Sequence, residues 1–401
     1  MRILIISQYF WPENFRINDV CIGLKNRGHK VVVLTGKPNY PSGKYFDGYG
    51  WTKKPSEIWE GIPIYRSNLL IRGNGSGLRL FLNYFSFAVL STLKLFSIKS
   101  NFDKVFIFAP SPITVGIPGI VASKRFKAKS ILWVHDLWPE SIRIAGGIDN
   151  ELIISLFNKM TKAIYNKMHK ILIQSEAFRS YINFQIGDSE KIIYYPFYAE
   201  SFYQVEEPEK EYMAELPLGF KLLFAGNIGE AQSFPTLLEA AKVLKSMNFP
   251  ISWIVFGKGR MKDLVYKEIE NYGLQKHFFL MGSLPAIEMP KYFSCVDGLI
   301  VSLKKSDIFS KTIPGKLQSY LACGKPIIGS LDGIGAIIIN DAKCGFTANA
   351  ESVEGLVKAI INLFNLSSDD RLTLGINARK YYEKEFEREA LLDKLENILN
   401  F

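Results

Sequence analysis

The stretch TIPGKLQSYLACGKPIIG, Thr312 to Gly329, reads as a loop, a short helix, a glycine stop and a buried strand. Pro314 suits the start of a helix, where the first N–H groups have no intrahelical partner. Leu317, Tyr320 and Leu321 recur at helical spacing and form an inward face. Gly324 ends the helix, Pro326 prevents its continuation, and an apolar run follows. The helix start carries the chemistry. Its backbone N–H groups and dipole favour an anion. Gly315 lets a ligand approach the backbone closely, and Lys316 adds a full positive charge. A diphosphate matches that combination. A capped helix with a solvated lysine is the plainer reading of the same spacing.

Working outward, 401 residues favour two or three domains, and 48% hydrophobic with 22% charged residues fits a globular chain with large cores. Four scattered cysteines, Cys21, Cys295, Cys323 and Cys344, form no CxxC pair, which argues against a disulfide framework or a zinc site. The four histidines show no metal-ligand spacing. Met1 leads directly into the strand-like run Ile3 to Ile6, so no signal peptide is expected. Val105 to Ser123 is apolar but divided by Pro110, Pro112 and Pro118 into strand, turn and helix. Leu80 to Leu93 falls short of the roughly 20 residues a bilayer requires, so it is expected to be buried or interfacial. The net charge of +10 is uneven: residues 1–200 carry 26 basic and 14 acidic groups, the remainder 23 and 25. A basic first half faces something anionic. Its interleaved apolar stretches favour anionic lipid over nucleic acid.

Strands alternate with helices along most of the chain, which predicts an α/β fold with parallel sheets. Ile3 to Ile6, a helix from Asp19 to Arg27 closed by Gly28, and Val31 to Leu34 make the first βαβ unit. The loop Gln8 to Asn18, with Glu13 and Arg16, lies at the carboxyl end of the first strand, where ligands bind in such sheets. Residues 36–77 show little periodicity and are expected to form a long excursion. Leu78 to Ser97 reads as an apolar helix and Leu152 to Met168 as a basic amphipathic one, suited to a membrane surface or to the domain core. Strand Ser130 to Val134 leads directly into HDLWPES, His135 to Ser141. Residues 199–219, rich in Glu and Pro, predict a linker between domains 1–198 and 220–377. A long charged helix closes the chain from about Asp370.

The glycine-rich loops exclude some chemistries. GKGRMK, Gly257 to Lys262, follows a strand but misses the third glycine of the dinucleotide fingerprint. No segment matches GxxxxGK[ST], and no DxD is present. A nucleotide-sugar epimerase or dehydrogenase would also need Tyr-x-x-x-Lys on a helix; Tyr40 and Lys44 have the spacing but lie in the irregular stretch. A two-lobed binding protein is normally exported, and no export signal is read here.

GHKVVVLT (Gly28 to Thr35), HDLWPES, FAGNIGEAQSFPTLLEA (Phe224 to Ala241), VDGLIVSL (Val296 to Leu303) and PGKLQSYLACGKPII (Pro314 to Ile328) occur in that order. Together they resemble the family 4 retaining glycosyltransferases. The resemblance is greatest to the branch that transfers N-acetyl-L-fucosamine in bacterial O-antigen assembly. It implies a GT-B architecture: two Rossmann-like domains facing across a cleft, with the final helix, about 378–401, crossing back to the first. It implies an acceptor-binding first domain, a donor-binding second domain, no cofactor and no metal. The implied donor is a nucleotide-diphosphate sugar, with UDP-N-acetyl-L-fucosamine as the first reading and another UDP- or GDP-sugar as the alternative. The implied acceptor is a saccharide on undecaprenyl diphosphate, met by a peripheral cytoplasmic enzyme at the inner face of the inner membrane. His135, Asp136 and Lys316 correspond to the catalytic positions. Donor binding would use Asn227, Gly229, Gln232, Pro314, Gly315 and Ser319, with Lys258, Ser283 and Leu284 near the base. Glu13 and Arg16 stand on the acceptor side. The chain departs from the family pattern in several places. Asn227 and Gln232 stand where many members have Arg and Lys, Lys311 and Ser319 where two glutamates are usual, and Phe15-Arg16 where a glycine pair is common.

Overall fold

A computed structural model of the protein describes residues 1–73, 75–146 and 150–401. The chain forms two compact units, Met1–Pro196 with Leu392–Phe401, and Phe197–Leu391.

The first unit is built on an eight-stranded sheet. Its strands are β1 (Arg2–Ser7), β2 (Lys30–Gly36), β3 (Ser56–Trp59), β4 (Ile62–Ser67), β5 (Lys104–Ala109), β6 (Lys129–Val134), β7 (Lys170–Ile173) and β8 (Ile192–Tyr194), in the order β3-β4-β2-β1-β5-β6-β7-β8. All pairs are parallel except β3 with β4 at one edge. Ile3 to Ile6 are fully buried, as a central strand covered on both faces requires. The order reverses direction between β1 and β5, so the loops after these two strands frame the crevice where sheets of this kind bind ligands.

Several expectations are corrected here. The irregular stretch 36–77 supplies β3 and β4, whose pairing is reinforced by the Arg66–Glu57 ion pair. Short strands of four and six residues, bounded by Gly, Pro and Lys, left no periodic signature. The helix read over Leu78 to Ser97 spans Gly77–Leu95, and although the apolar run Leu80 to Leu93 falls short of a bilayer, the whole helix, at 19 residues and mean hydropathy 1.2, is long and apolar enough to cross one. It is nonetheless part of the unit. Asn83, Phe87, Ala88, Ser91 and Leu95 are buried, and Asn83 accepts from Gln8 Nε2 at 2.7 Å while donating to the Leu70 carbonyl at 2.6 Å.

The second unit repeats the plan. Strands β9 (Phe220–Ala225), β10 (Ile251–Phe256), β11 (Phe278–Gly282), β12 (Gly298–Ser302), β13 (Ile327–Ser330) and β14 (Gly345–Ala348) form an all-parallel sheet, β11-β10-β9-β12-β13-β14. Its reversal point lies between β9 and β12. The predicted linker instead belongs to this unit: Ala199 and Leu216 join its core, and a Lys210–Glu215 helix is tied to Tyr292 through Glu215 at 2.5 Å. Acidic composition marked its exposed face, not flexibility. The closing helix is two, Ser368–Glu385 and Arg388–Leu399, and residues from Leu392 onward belong to the first unit.

Leu392 anchors that last segment. It is fully buried, and a Cβ on Gly23 would lie 2.7 Å from its Cδ1. Leu392→Ala is expected to lower the first unit's unfolding free energy by about 2–5 kcal/mol, measured by urea denaturation.

Candidate active site

The second unit's reversal point gathers four loops. After β9 comes GNIG, Gly226 to Gly229; after β10 comes GKG, Gly257 to Gly259. The two are laced by backbone hydrogen bonds from Gly226 to Phe256, from Ile228 to Lys258 and from Met261 to Ile228, at 2.8 to 3.0 Å. They approach so closely that side chains are excluded. A Cβ on Gly257 would sit 1.9 Å from the Gly226 carbonyl oxygen, and one on Gly259 2.1 Å from that of Ile228. The Lys304 amide donates to the Ala231 carbonyl at 2.9 Å, joining the loop after β12 to the loop after β9. Glu351 accepts from the Lys305 amide at 3.2 Å and from Ser233 Oγ at 3.4 Å, holding both loops from a third side.

The helix read from sequence spans Gly315–Ala322, with Pro314 extended just before it and Gly324 at φ +63° beyond it. Lys316 on its first turn reaches the loops. Its Nζ lies 3.5 Å from the centre of the Phe224 ring and donates to Gln232 Oε1 at 2.8 Å. Gly226, at φ +140°, takes a backbone conformation suited to glycine, and a Cβ there would be 3.2 Å from the ammonium. Among the described residues no carboxylate pairs with Lys316. Burial therefore pushes its pKa well below the usual lysine range, and an incoming anion reverses that penalty. Tyr320, one turn on, fixes the end of β9 by accepting from the Ala225 amide at 2.9 Å.

Of the donor residues read from sequence, Pro314, Gly315, Gln232, Asn227 and Gly229 thus come together around Lys316, read as catalytic. Ser319 is on the same helix and buried. Lys258 lies in the second glycine loop. Ser283 and Leu284 are exposed beyond β11, at the same sheet end and farther from Lys316 in strand order. Lys311 instead pairs with Asp307 at 2.5 Å. Phe224 and Tyr320 escaped notice because each reads as core; only the lysine above Phe224 reveals its role. The paired glycines at 257 and 259 were visible after a strand, but their purpose is the close loop contact.

In the first unit the candidate residues do not share one site. His135 packs edge-on against Trp133 and tilted against Phe108, with ring centres 4.3 and 4.7 Å apart. Burial, with Arg16 nearby, holds its pKa well below the usual histidine range, so it is neutral. Asp136 turns to the other side. It accepts from Ser141 Oγ at 2.5 Å and lines an apolar cavity, which raises its pKa to about 6. Glu13 is a correction: it does not face an acceptor. It is 2% exposed, and its carboxylate accepts from the amides of Asn39 at 2.8 Å, Tyr40 at 2.7 Å and Phe10 at 3.3 Å. It staples the loops after β1 and β2. Tyr40 and Lys44 lie in a turn, not on a helix, so the dehydrogenase pattern is not formed.

Burial outweighs the three amides and lifts the Glu13 carboxyl from 4.5 to about 7. Below pH 4.5 both folded and unfolded forms are protonated, and its contribution to stability is fully present. As pH rises through that window the unfolded chain ionises first, and roughly 3 kcal/mol is lost by pH 7 and above. Glu13→Gln keeps an acceptor for Asn39 and Tyr40 and removes the titration. Urea denaturation at pH 4.5 and pH 8 is expected to show this part of the pH dependence in the wild type and not in the variant.

Comparison with known proteins agrees with this geometry. The family described as "Glycosyl transferases group 1" matches residues 213–381, the segment that holds the lysine and the glycine loops. The putative colanic acid biosynthesis glycosyl transferase WcaI of Escherichia coli K12 is 25% identical over 419 residues, covering 99% of both chains. Sucrose-phosphate synthase from Thermosynechococcus elongatus superposes with a TM-score of 0.76 at 15% identity, over 100% of this chain and 98% of that one. Anabaena Alr3699/HepE, solved with UDP and glucose, superposes with a TM-score of 0.71 at 14% identity, over 100% and 99%. Residues 213–381 match the group 1 glycosyltransferase family, and the chain, which has the GT-B fold, is a glycosyltransferase.

Proposed function

We propose that this glycosyltransferase takes its sugar from a UDP-sugar and places it, with retention of anomeric configuration, on a lipid-linked saccharide in bacterial surface-polysaccharide assembly. The observation that carries the donor side is Lys316: a cation held beside a helix start and two glycine loops, with no carboxylate partner among the described residues. A diphosphate supplies the missing negative charge. The similar fold of the Anabaena protein, solved with UDP and glucose, supports UDP as the nucleotide. The E. coli relative, described as acting in colanic acid biosynthesis, supports the polysaccharide setting. The order of motifs favours N-acetyl-L-fucosamine as the sugar.

In the proposed reaction the bond from the anomeric carbon to the diphosphate oxygen breaks, and a bond to the acceptor oxygen forms on the same face. Negative charge collects on UDP, where Lys316 and the first-turn amides of its helix stabilise it; such preorganised charge stabilisation is commonly the largest catalytic contribution. The acceptor's proton passes to the departing phosphate oxygen. No protein carboxylate is required as a nucleophile, unlike typical retaining glycosidases. We assign His135, held neutral, to hydrogen bonding with the sugar. Peripheral attachment to the cytoplasmic face of an anionic membrane is part of the proposal. It is supported by Leu78, Val89 and Leu93 on one helix and Leu152 and Leu156 on another, which are 57–83% exposed in a strongly basic half of the chain.

Release of UDP or GDP measured across a panel of nucleotide sugars tests the donor, with UDP-N-acetyl-L-fucosamine expected to turn over fastest. Lys316→Ala is expected to lower kcat by about 10²- to 10³-fold. Wild-type turnover in that variant would remove the lysine from the mechanism. Gly257→Ala, which drives a methyl into the Gly226 carbonyl, is expected to weaken UDP binding at least about tenfold by calorimetry.

A further inference from the structure

Arg72 lies in the first unit between β4 and the Gly77–Leu95 helix. Its Nη1 donates to the Tyr9 hydroxyl at 2.6 Å. Its guanidinium carbon stands 5.1 Å from the Tyr40 ring centre and 5.9 Å from those of Tyr9 and Tyr84. The side chain is half-buried, and among the described residues no carboxylate forms an ion pair with it. Three aromatic faces compensate a guanidinium weakly compared with a carboxylate or phosphate, which it grips with two parallel N–H donors. The position is therefore suited to an anion.

Tyr84 connects this cation to an apolar cavity. Its ring is 6.2 Å from Trp138, and both line a space of about 100 Å³ together with Leu80, Phe81, Phe85 and Phe157, with Asp136 and Ser141 also in its wall. That is the same order as the ~150 Å³ cavity that accepts a benzene ring, so it suits one small branched hydrocarbon unit. The cavity is rimmed on the surface by apolar side chains. Leu78 is 70% exposed, Phe81 42%, and Leu152 and Leu156 extend the patch on the helix that carries Phe157. A cation, a tyrosine edge and a hydrocarbon slot opening beside an apolar surface describe a receptor for an amphiphile with an anionic head.

We propose that Arg72 and the cavity behind Tyr84 form the seat of the acceptor's lipid diphosphate, with phosphate oxygens on the guanidinium and the first isoprene unit among Leu80, Phe85, Trp138 and Phe157. This rests on the lipid-linked acceptor proposed above and gives it a location. The lipid is drawn from the surface that Leu78, Leu152 and Leu156 contact, and the saccharide extends from the diphosphate past Tyr9 and Tyr40. Tyr9 stacks on Phe15 at 4.9 Å and is buried, while Tyr40, tilted against Phe15 at 5.4 Å and 37% exposed, offers a face for a sugar.

The test uses the full-length chain and farnesyl diphosphate, followed by calorimetry and by intrinsic tryptophan fluorescence. Farnesyl diphosphate is expected to bind at least tenfold more tightly than either farnesol or inorganic diphosphate. Arg72→Ala is expected to weaken farnesyl diphosphate at least tenfold and leave farnesol unchanged. Leu80→Trp, which fills the cavity, is expected to weaken both prenyl compounds; Leu80→Phe is the milder filler if the tryptophan impairs folding. UDP binding, measured in parallel, reports an intact second unit. Wild-type farnesyl diphosphate affinity in folded Arg72→Ala and Leu80→Phe would overturn the proposal. So would equal displacement of the probe by phosphatidylglycerol vesicles, which would make the site one for a membrane headgroup. Retained UDP binding without any prenyl binding sinks this inference alone, whereas a wild-type chain that does not bind UDP sinks the donor reading instead.

Discussion

A single ammonium group sets the terms for the second unit. Lys316 is pressed against the face of Phe224 with one amide oxygen as its hydrogen-bond partner, and burial opposes its charge. Keeping a cation there constrains its surroundings. Gly226 takes φ +140°, a conformation suited to glycine, and leaves space beside the ammonium. Tyr320 must hold the Ala225 amide so that β9 ends where Phe224 can underlie the charge. The two glycine loops must lie within contact of each other, which brings backbone dipoles and a helix start to one point. The arrangement is poorly compensated as it stands. In the proposed reaction the anionic leaving group compensates it, so that binding and catalysis would draw on one electrostatic imbalance.

The first unit has the same architecture with a different treatment of charge. Three of its acidic groups are drawn inward. Glu13 is wrapped by amides, Glu57 is taken by Arg66, and Asp136 sits at an apolar wall with its hydroxyl partner Ser141. His135 is held uncharged between two aromatic rings. A crevice built this way offers neutral hydrogen bonds and aromatic faces, which suits hydroxyl-bearing ligands better than a second site of strong charge. Arg72 is the exception, and its setting among tyrosines is what separates it from the unit's structural ion pairs.

The Gly77–Leu95 helix shows how one element serves two environments. Its buried side carries a polar anchor, Asn83, bonded on both ends of its amide, so the helix cannot leave the unit without stranding Gln8 and the Leu70 carbonyl. Its other side exposes Leu78, Phe81, Val89 and Leu93. Composition therefore passes a membrane-span criterion in a helix with one side packed into the unit's core.

The sequence by itself determined the alternation of parallel strands and helices, the helix at Gly315 with its glycine stop, and the lysine at an anion-binding end. Each depends on local spacing, and local spacing survives in one dimension. It also carried enough ordered motif to place the chain near the group 1 glycosyltransferases. The edge strands β3 and β4 were hidden because short strands held by neighbours need no periodicity of their own. The acidic segment 199–219 read as a linker because exposed charge and disorder have similar composition. Only tertiary structure decided that adjacent His135 and Asp136 face opposite ways, that Glu13 is a staple, and that Phe224 lies beneath Lys316. Those outcomes depend on which loops meet at a sheet's reversal point, and contacts between residues nearly a hundred positions apart leave no mark on the spacing around either one.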